Sequence, residues 1–524
     1  MKHLNKLLNG IIAAVSAFAM ALVLIPTGAL AADATTYTLT LNGTVTGHTY
    51  QAYQIFSGDL NGSTLSNIKW GTGVDATKTV DNKTLIEALK ADSTLSEKFA
   101  NVTDAASVAE ALSSAQNDDA VAKEFAQVVN KYLATTPQKE VSSTDKTTAI
   151  SGLSAGYYLV KDKDNSLGTD KKDAYTRFVM EVVKDVTTNV KSDVPTVEKK
   201  VKDTNDSTGK TTGWQDSADY DINDSVPYQI TGTMPSNIAD YKTYSYTFTD
   251  TMSKGLTYTA KTAKVTIGTT DVTSSFKETV TKNNDGTTTV TWACTDLKAI
   301  SGVTIDANTK VVVNYSAKLN DQAVLGSAGN PNTVYLTFSN NPNKGGEGNT
   351  GKTPEDKNIV FTYKTVVNKV DQYKKSLAGA AFKLEKKQSD GTYKEVKSFT
   401  ADDKTTSFEF SGLDDGDYKL TETTTPAGYN TIAPVEFTIS ATHDVTADDP
   451  KLLTLSGDVT SGTAEFAADT RAGSLTTDVV NKKGSVLPST GGMGTTVLYV
   501  AGAAIIVAAG LGLAKRRSAH KDAE

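Results

Sequence analysis

Ser411-Gly412-Leu413-Asp414-Asp415-Gly416-Asp417-Tyr418-Lys419-Leu420-Thr421-Glu422 reads as a turn running into a strand, and the unit occurs twice. Ser151-Gly152-Leu153 followed by Gly156 and Tyr158 repeats the spacing of Ser411-Gly412-Leu413 followed by Gly416 and Tyr418. A repeated turn-then-strand unit predicts related β-sandwich modules at two places in the chain. The stretch carries a second signal. Side chains alternate along a strand, so Tyr418, Leu420 and Glu422 share one face. An acid in register with large apolar residues points at a core, where a lone charge is costly. Polar partners are therefore expected from other strands.

Lys369, in Val366-Val367-Asn368-Lys369-Val370-Asp371, and Asn481, in Val479-Val480-Asn481-Lys482, complete such a set. A matching set lies in the middle of the chain. Val197, Lys199 and Val201 share one strand face, Tyr244, Tyr246, Phe248 and Asp250 a second, and Asn332, Val334, Leu336 and Phe338 a third. Asn340 has the parity of Asn332, which leaves two candidates for the middle asparagine. An ordinary buried ion pair beside a strand asparagine would satisfy the same pattern.

The chain has 524 residues, a net charge of -7 and one cysteine. The acidic balance excludes a basic field for nucleic acid. Residues 1–31 read as a signal peptide: Lys2, His3 and Lys6, an apolar core from Ile11 to Ile25, and Ala29-Leu30-Ala31 as the cleavage site. Cys294 alternates with Val290 and Trp292, so it is expected in a buried strand face, and an exported chain of this size lacks the usual disulfide staple. Near the other end, an apolar run from Thr495 to Ala514 precedes Lys515-Arg516-Arg517. That is long enough to cross a bilayer core of ~30 Å as a C-terminal transmembrane helix, with the basic residues cytoplasmic.

Between these ends three modules are expected. Residues 32–190 combine strand character (Thr36 to Phe56, Gly156 to Val160, Phe178 to Val183) with helical patterning between Asn82 and Leu133. There Val121, Phe125, Val128, Val129 and Tyr132 fall on one helical face. Residues 191–352 are rich in Thr, Val and Tyr in short alternating runs with turns such as Asn284-Asp285-Gly286, an all-β pattern. Asn340 to Asp356 reads as a linker or long loop. Residues 353–484 form the third module and 485–524 the tail. The fold class is mainly β: tandem immunoglobulin-like sandwiches, the N-terminal one with a helical insertion.

Conventional catalysis is poorly supported. Removing the two ends leaves His48 and His443 as the histidines, with no Cys/His or Ser/His pattern and no His-based metal spacing, so neither cofactor nor metal is expected. Asp162-Lys163-Asp164-Asn165 lacks the spacing of a calcium loop. Gly346 to Thr353 matches G-x-x-x-x-G-K-T, but Pro354 follows at once where a phosphate loop needs a helix.

Leu487-Pro488-Ser489-Thr490-Gly491, followed by the apolar run and the basic stop, resembles the Leu-Pro-x-Thr-Gly cell-wall sorting signal of Gram-positive surface proteins. With the two Lys/acid/Asn sets, the chain resembles a major (backbone) pilin of a sortase-assembled Gram-positive pilus. Its middle module is similar to the isopeptide-forming fimbrial domain and its third to the collagen-adhesin B-type, prealbumin-like domain. The resemblance implies intramolecular amides Lys199–Asn332 and Lys369–Asn481, with Asp250 and Glu422 as their catalysts. It implies no bond in the first module, where Asp162 falls at the repeat position of Glu422 and Asn189 lies near the end, but the strand Tyr37 to Leu41 has no lysine. It also implies that sortase, a transpeptidase, joins the Thr490 carbonyl of one subunit to a lysine of the next. In Thr188-Asn189-Val190-Lys191-Ser192-Asp193 that lysine is Lys191, although no Tyr-Pro precedes it; Lys184, Lys200 and Lys202 compete. The implied partners are a pilus-specific sortase, a housekeeping sortase with peptidoglycan, and identical subunits in a head-to-tail fibre, with minor pilins and a host surface as further candidates. The expected product is a non-enzymatic, wall-anchored structural shaft. The alternative is a monomeric wall-anchored adhesin or minor pilin.

Overall fold

The computed structural model describes residues 35–115, 119–167, 172–190 and 193–484. The signal peptide, Lys191, the sorting residues Leu487–Gly491 and the apolar run Thr495 to Ala514 lie outside the described residues. Among those described, no helix is long and apolar enough to cross a membrane.

The repeat read from Ser411-Gly412-Leu413 has the same structural meaning in both copies. In the first sandwich Thr36–Asn42 lies between Thr147–Ser154, antiparallel, and Val186–Asn189, parallel. In the third, Tyr363–Asp371 lies between Ser407–Leu413, antiparallel, and Ser474–Asn481, parallel. Tyr37 pairs with Leu153 as Tyr363 pairs with Leu413, and each pair is followed by a register shift. Gly152 at φ 73° and Gly412 at φ 79° supply the left-handed residue this irregularity needs.

The opposing sheet of the first sandwich has the order Thr64–Trp70, Thr49–Asn61, Gly156–Asp162, Arg177–Val182, and Lys139–Ser142 also pairs with Thr49–Asn61. Every residue from Gly156 to Asp162 is buried, because this sheet is covered on both faces. Tyr158 and Val160 pack towards Leu39, Leu41 and Ile150 of the other sheet. Tyr157 and Leu159 pack on the helical insertion. That insertion contains Leu85–Ala91, Ser96–Phe99, Ala105–Ser114 and Asp119–Asn130. Thr84 with Glu87 and Asp104 with Ser107 close reciprocal capping boxes at two of its N-termini. The predicted face of Val121, Phe125, Val128, Val129 and Tyr132 is buried, with Tyr132 just past the helix end.

The second sandwich stacks Val197–Val201, Ser225–Thr233, Lys310–Leu319, Lys264–Ile267 and Thr270–Asp271 on a larger sheet. The larger sheet has the order Ser217–Asp219, Asp356–Phe361, Asn330–Ser339, Tyr246–Met252, Thr288–Cys294, Lys277–Lys282. Cys294 is a free, buried core residue beside Val290 and Trp292.

Two features depart from the sequence reading. Asn340 to Asp356 is not a free linker: it folds back as a turn at Pro342–Lys344 and a strand Thr350–Lys352 paired to Thr337, Phe338 and Ser339. Its asparagines hold it against the first sandwich. Asn340 Nδ2 donates to Asp173 O at 3.1 Å, Tyr175 N donates to Asn340 O at 2.8 Å, and Asn130 Nδ2 donates to Asn343 O at 2.9 Å. Secondly, Asp356–Phe361, assigned by sequence to the third module, pairs with Asn330–Ser339 of the second. Its alternation explains this: Val360 enters the second core, Ile359 and Phe361 the third. One strand therefore serves two cores.

Candidate cross-linking sites

Strand pairing brings Lys199 to the second core from an edge strand, opposite Ile230. Asp250, opposite Val290 and Val334, faces it from the other sheet. Lys199, Asp250 and Asn332 are each 0% exposed. Lys199 Nζ donates to Asp250 Oδ1 at 2.8 Å and to the hydroxyl of Tyr315 at 2.6 Å. Asn332 Nδ2 donates to the same hydroxyl at 2.8 Å, and that hydroxyl donates to Asp250 Oδ2. The tyrosine oxygen is therefore shared by amine, acid and carboxamide. Asn332 Oδ1 is buried with no hydrogen-bond partner.

The environment biases this site towards neutral groups. Burial pulls Lys199 below the usual amine range, against the attraction of Asp250. Burial likewise pushes Asp250 above the usual carboxylate range, against Lys199. Tyr228 and Tyr315 flank the ammonium, 5.0 and 5.1 Å from it to their ring centroids. Sequence reasoning missed Tyr315. Its signal was available: it shares the strand face of Val311 and Val313, and a tyrosine buried in a core needs a partner for its hydroxyl. Asn340 is placed elsewhere, on the first sandwich.

In the third sandwich, Lys369 and Asn481 lie on adjacent parallel strands, with Lys369 opposite Val479 and Asp371 opposite Asn481. Glu422 approaches from the other sheet. Its Oε2 accepts from Asn481 Nδ2 at 3.0 Å and from Ile432 N at 3.1 Å. Lys369 Nζ donates to Val479 O at 2.9 Å and Val370 O at 3.3 Å. Glu422 Oε1 and Asn481 Oδ1 are buried without hydrogen-bond partners. Burial lowers the Lys369 amine to about 8, although Glu422 and Asp371 act in the opposite direction.

That shift makes a prediction. In an Asn481→Ala chain Lys369 keeps a free amine. Between about pH 8 and 10.5 the folded amine is neutral while the unfolded one stays protonated. The unfolded state then binds more protons, so stability rises with pH across that window, by up to about 3 kcal/mol. Urea melts of this variant at pH 7.5 and 10 should show the gain; a flat or falling profile would contradict it.

The first sandwich fills the equivalent place differently. Leu39 opposite Ile150 corresponds to Thr365 opposite Phe410, so four residues further on Gly43 stands where Lys369 stands. Asp162, at the repeat position of Glu422, accepts instead from His48 Nδ1 at 2.8 Å and Thr176 N at 2.6 Å. Asn189 ends its strand opposite Asn42, exposed. Of the lysines competing with Lys191, Lys184 is exposed. Lys200 Nζ is 2.6 Å from Asp216 and 3.3 Å from Glu198. Lys202 lies over the Trp214 ring.

Known protein families match three stretches of the chain. Residues 222–342 match the Gram-positive pilin backbone subunit 2, Cna-B-like domain, residues 364–451 the prealbumin-like fold domain, and residues 479–519 the LPXTG cell wall anchor motif. The chain is 26% identical over 401 residues to the trypsin-resistant surface T6 protein of Streptococcus pyogenes serotype M6, covering 64% of this chain and 71% of that one. Its fold is similar to the solved T6 backbone pilin of serotype M6 Streptococcus pyogenes, with TM-score 0.50, 19% identity, and coverage of 87% of this chain and 100% of that one. The full-length major pilin SpaD of Corynebacterium diphtheriae aligns with TM-score 0.46 and 17% identity over 86% of this chain and 98% of that one.

Proposed function

We propose, for a chain that belongs to the Gram-positive backbone pilins, a wall-anchored shaft subunit that cross-links itself twice and is joined to its neighbours at Lys191. It is a structural subunit and a sortase substrate, not an enzyme, polymerised into a fibre of identical subunits on the cell surface. The specific bonds are our reading. The observation that carries it is the shared environment of Lys199, Asp250 and Asn332, all fully buried around one tyrosine oxygen.

The chemistry follows from burial. Proton transfer from Lys199 to Asp250 turns a costly ion pair into a neutral amine and a carboxylic acid. The amine attacks Asn332 Cγ. Asp250 and the Tyr315 hydroxyl, which touches Nδ2, are placed to deliver a proton to the departing nitrogen. The Nζ–Cγ bond forms, the Cγ–Nδ2 bond breaks, and Nδ2 leaves as ammonia with the acid's proton, while the proton lost from Nζ passes to the Asp250 carboxylate and restores the acid. Holding the groups in place supplies the effective concentration. Lys369, Glu422 and Asn481 are proposed to react likewise, once the Lys369 amine turns from the Val479 carbonyl towards Asn481.

For polymerisation, the described residues next to both chemical ends are tied down. Gly484 N donates to Gly428 O at 3.0 Å, which ties the chain at the end of the third sandwich. Thr490 is six residues further on, at most about 20 Å when extended. Lys191 is flanked by Val190, whose N–H donates to Asn42 O, and Asp193, whose carboxylate accepts from Ser236 N. The described residues on either side of the proposed acceptor are thus tied one to the first sandwich and one to the second. Head-to-tail linkage of this kind does not close, so it yields a fibre. A pilus-specific sortase would make these links and a housekeeping sortase would pass the last subunit to peptidoglycan. Minor pilins and a host surface remain the proposed further partners.

Intact-mass spectrometry of the full chain tests the amides: two bonds remove two ammonia molecules, about 34 Da. A mass equal to that of the unreacted sequence would refute both, and a loss of about 17 Da one of them. The relative's printed name describes it as trypsin-resistant; the same resistance is expected here.

A further inference from the structure

The joint between the second and third sandwiches buries two clusters of charge. One is closed around a lysine: Lys386, 2% exposed, donates to Asp221 at 2.8 Å, to Asp206 at 3.3 Å and to Asp414. Among the described residues, no lysine or arginine closes the other. His443, its side chain 8% exposed, faces Asp203 Oδ2 at 3.6 Å and Asp219 Oδ1 at 3.9 Å through Nε2. The orientation of the ring is fixed from behind. Nδ1 is 2.7 Å from Ser217 Oγ, and Ser217 Oγ is 2.5 Å from Asp444 O. A carbonyl cannot donate, so the serine proton goes to Asp444 O and Ser217 accepts from Nδ1–H. With Nδ1–H so engaged, Nε2 is the ring atom that faces the two carboxylates.

The Tyr363 hydroxyl is the donor beside Asp219, and each carboxylate keeps one oxygen without a partner. Asp219 is 2% exposed and its Oδ2 has no hydrogen-bond partner; Asp203 Oδ1 is also buried and unpartnered. One ligand atom from each of Asp203, Asp219 and His443 lies within 4.8 Å of the others. Like charges this close repel unless something positive separates them.

We propose that Asp203, Asp219 and His443 bind one divalent transition-metal ion of the zinc class at this joint. Tetrahedral zinc has bonds of about 2.0–2.2 Å, which puts its ligand atoms about 3.4 Å apart. The observed 3.6 and 3.9 Å need only small adjustments of the carboxylates. One imidazole nitrogen with two carboxylate oxygens suits zinc better than magnesium or calcium, which favour all-oxygen shells. Ser217 fills the usual outer role of fixing the ligating ring. Asp219 ends the Ser217–Asp219 strand of the second sandwich and His443 ends the Val435–His443 strand of the third. The ion would therefore brace the two modules against each other. Histidine spacing along the chain gave no such signal, because two of the three ligands lie more than 200 residues before the third.

The test uses the full chain in detergent, stripped with a chelator and given zinc chloride or, for spectroscopy, cobalt chloride. One zinc per chain should survive gel filtration, cobalt should give visible ligand-field bands, and zinc should raise Tm. Asp219→Asn and His443→Gln should each remove the bound metal, with unchanged far-ultraviolet circular dichroism as the check on folding. Ser217→Ala should weaken affinity several-fold while leaving the bands. A wild-type chain that retains no more zinc than Asp219→Asn overturns the proposal. Metal retained equally by all variants overturns it too, as binding elsewhere.

Discussion

Asp250→Ala should leave the full chain unable to form the Lys199–Asn332 amide, and its mass, corrected for the substitution, should exceed that of the wild type by one ammonia, about 17 Da. Its stability should fall steeply, for two separable reasons. The lost bond closes a loop of more than 100 residues between Lys199 and Asn332, which in the chain-entropy model is about 5 kcal/mol. Removing the acid also strips the counter-charge from a lysine that is 0% exposed, a change that costs about 3–5 kcal/mol when a buried pair is broken. For a sandwich of this size each kcal/mol moves Tm by about 2–4 °C, so a fall of at least about 15 °C is expected by calorimetry. Tyr315→Phe separates the contributions. It keeps Lys199 and Asp250 paired at 2.8 Å but removes the hydroxyl that both share with Asn332, so the bond should form slowly rather than not at all. An Asp250→Ala chain that still lacks the ammonia would eliminate the acid from the mechanism.

Lys191→Arg should convert a ladder of high-mass, boiling-resistant species in cell-wall extracts to a single wall-bound band. Arginine keeps the charge but offers sortase no amine. Lys200→Arg and Lys202→Arg should leave the ladder intact. The Lys200 amine is a poor nucleophile: burial lowers its pKa, but the hydrogen bond and charge of Asp216 outweigh that and raise it. Lys202 is held over the Trp214 ring, 4.8 Å from its centroid. Lys184, exposed and free of these contacts, is the strict control. A ladder that survives Lys191→Arg and disappears with Lys184→Arg would move the acceptor seven residues upstream. A single band already in the wild type would favour the monomeric adhesin instead.

Much of this was legible one residue at a time. Period-two alternation put Lys199, Asp250 and Asn332 on inward faces before any strand was paired, because inward polar residues stand out against Val, Tyr and Phe neighbours. Ser411-Gly412-Leu413 and its earlier copy identified two related sandwiches, since a left-handed glycine at a register shift constrains sequence locally. What the chain read alone left open were choices between residues of equal parity. Asn332 and Asn340 are alternatives on one strand face, and their tertiary contacts differ: Asn332 meets the Tyr315 hydroxyl and Asn340 meets Asp173. Tyr315 was one buried tyrosine among many until three other strands brought an amine, an acid and an amide to its oxygen. The strand Asp356–Phe361 looked like the start of a module and proved to serve two, because alternate residues can enter different cores. His443 carried no signal at all in the chain, since its acidic neighbours come from another module. Sequence by itself determined which side chains point inward and where the strands turn, because both are local consequences of backbone geometry. The tertiary structure decided which of those inward groups meet, because contacts across sheets and between modules depend on register and stacking that no local pattern encodes.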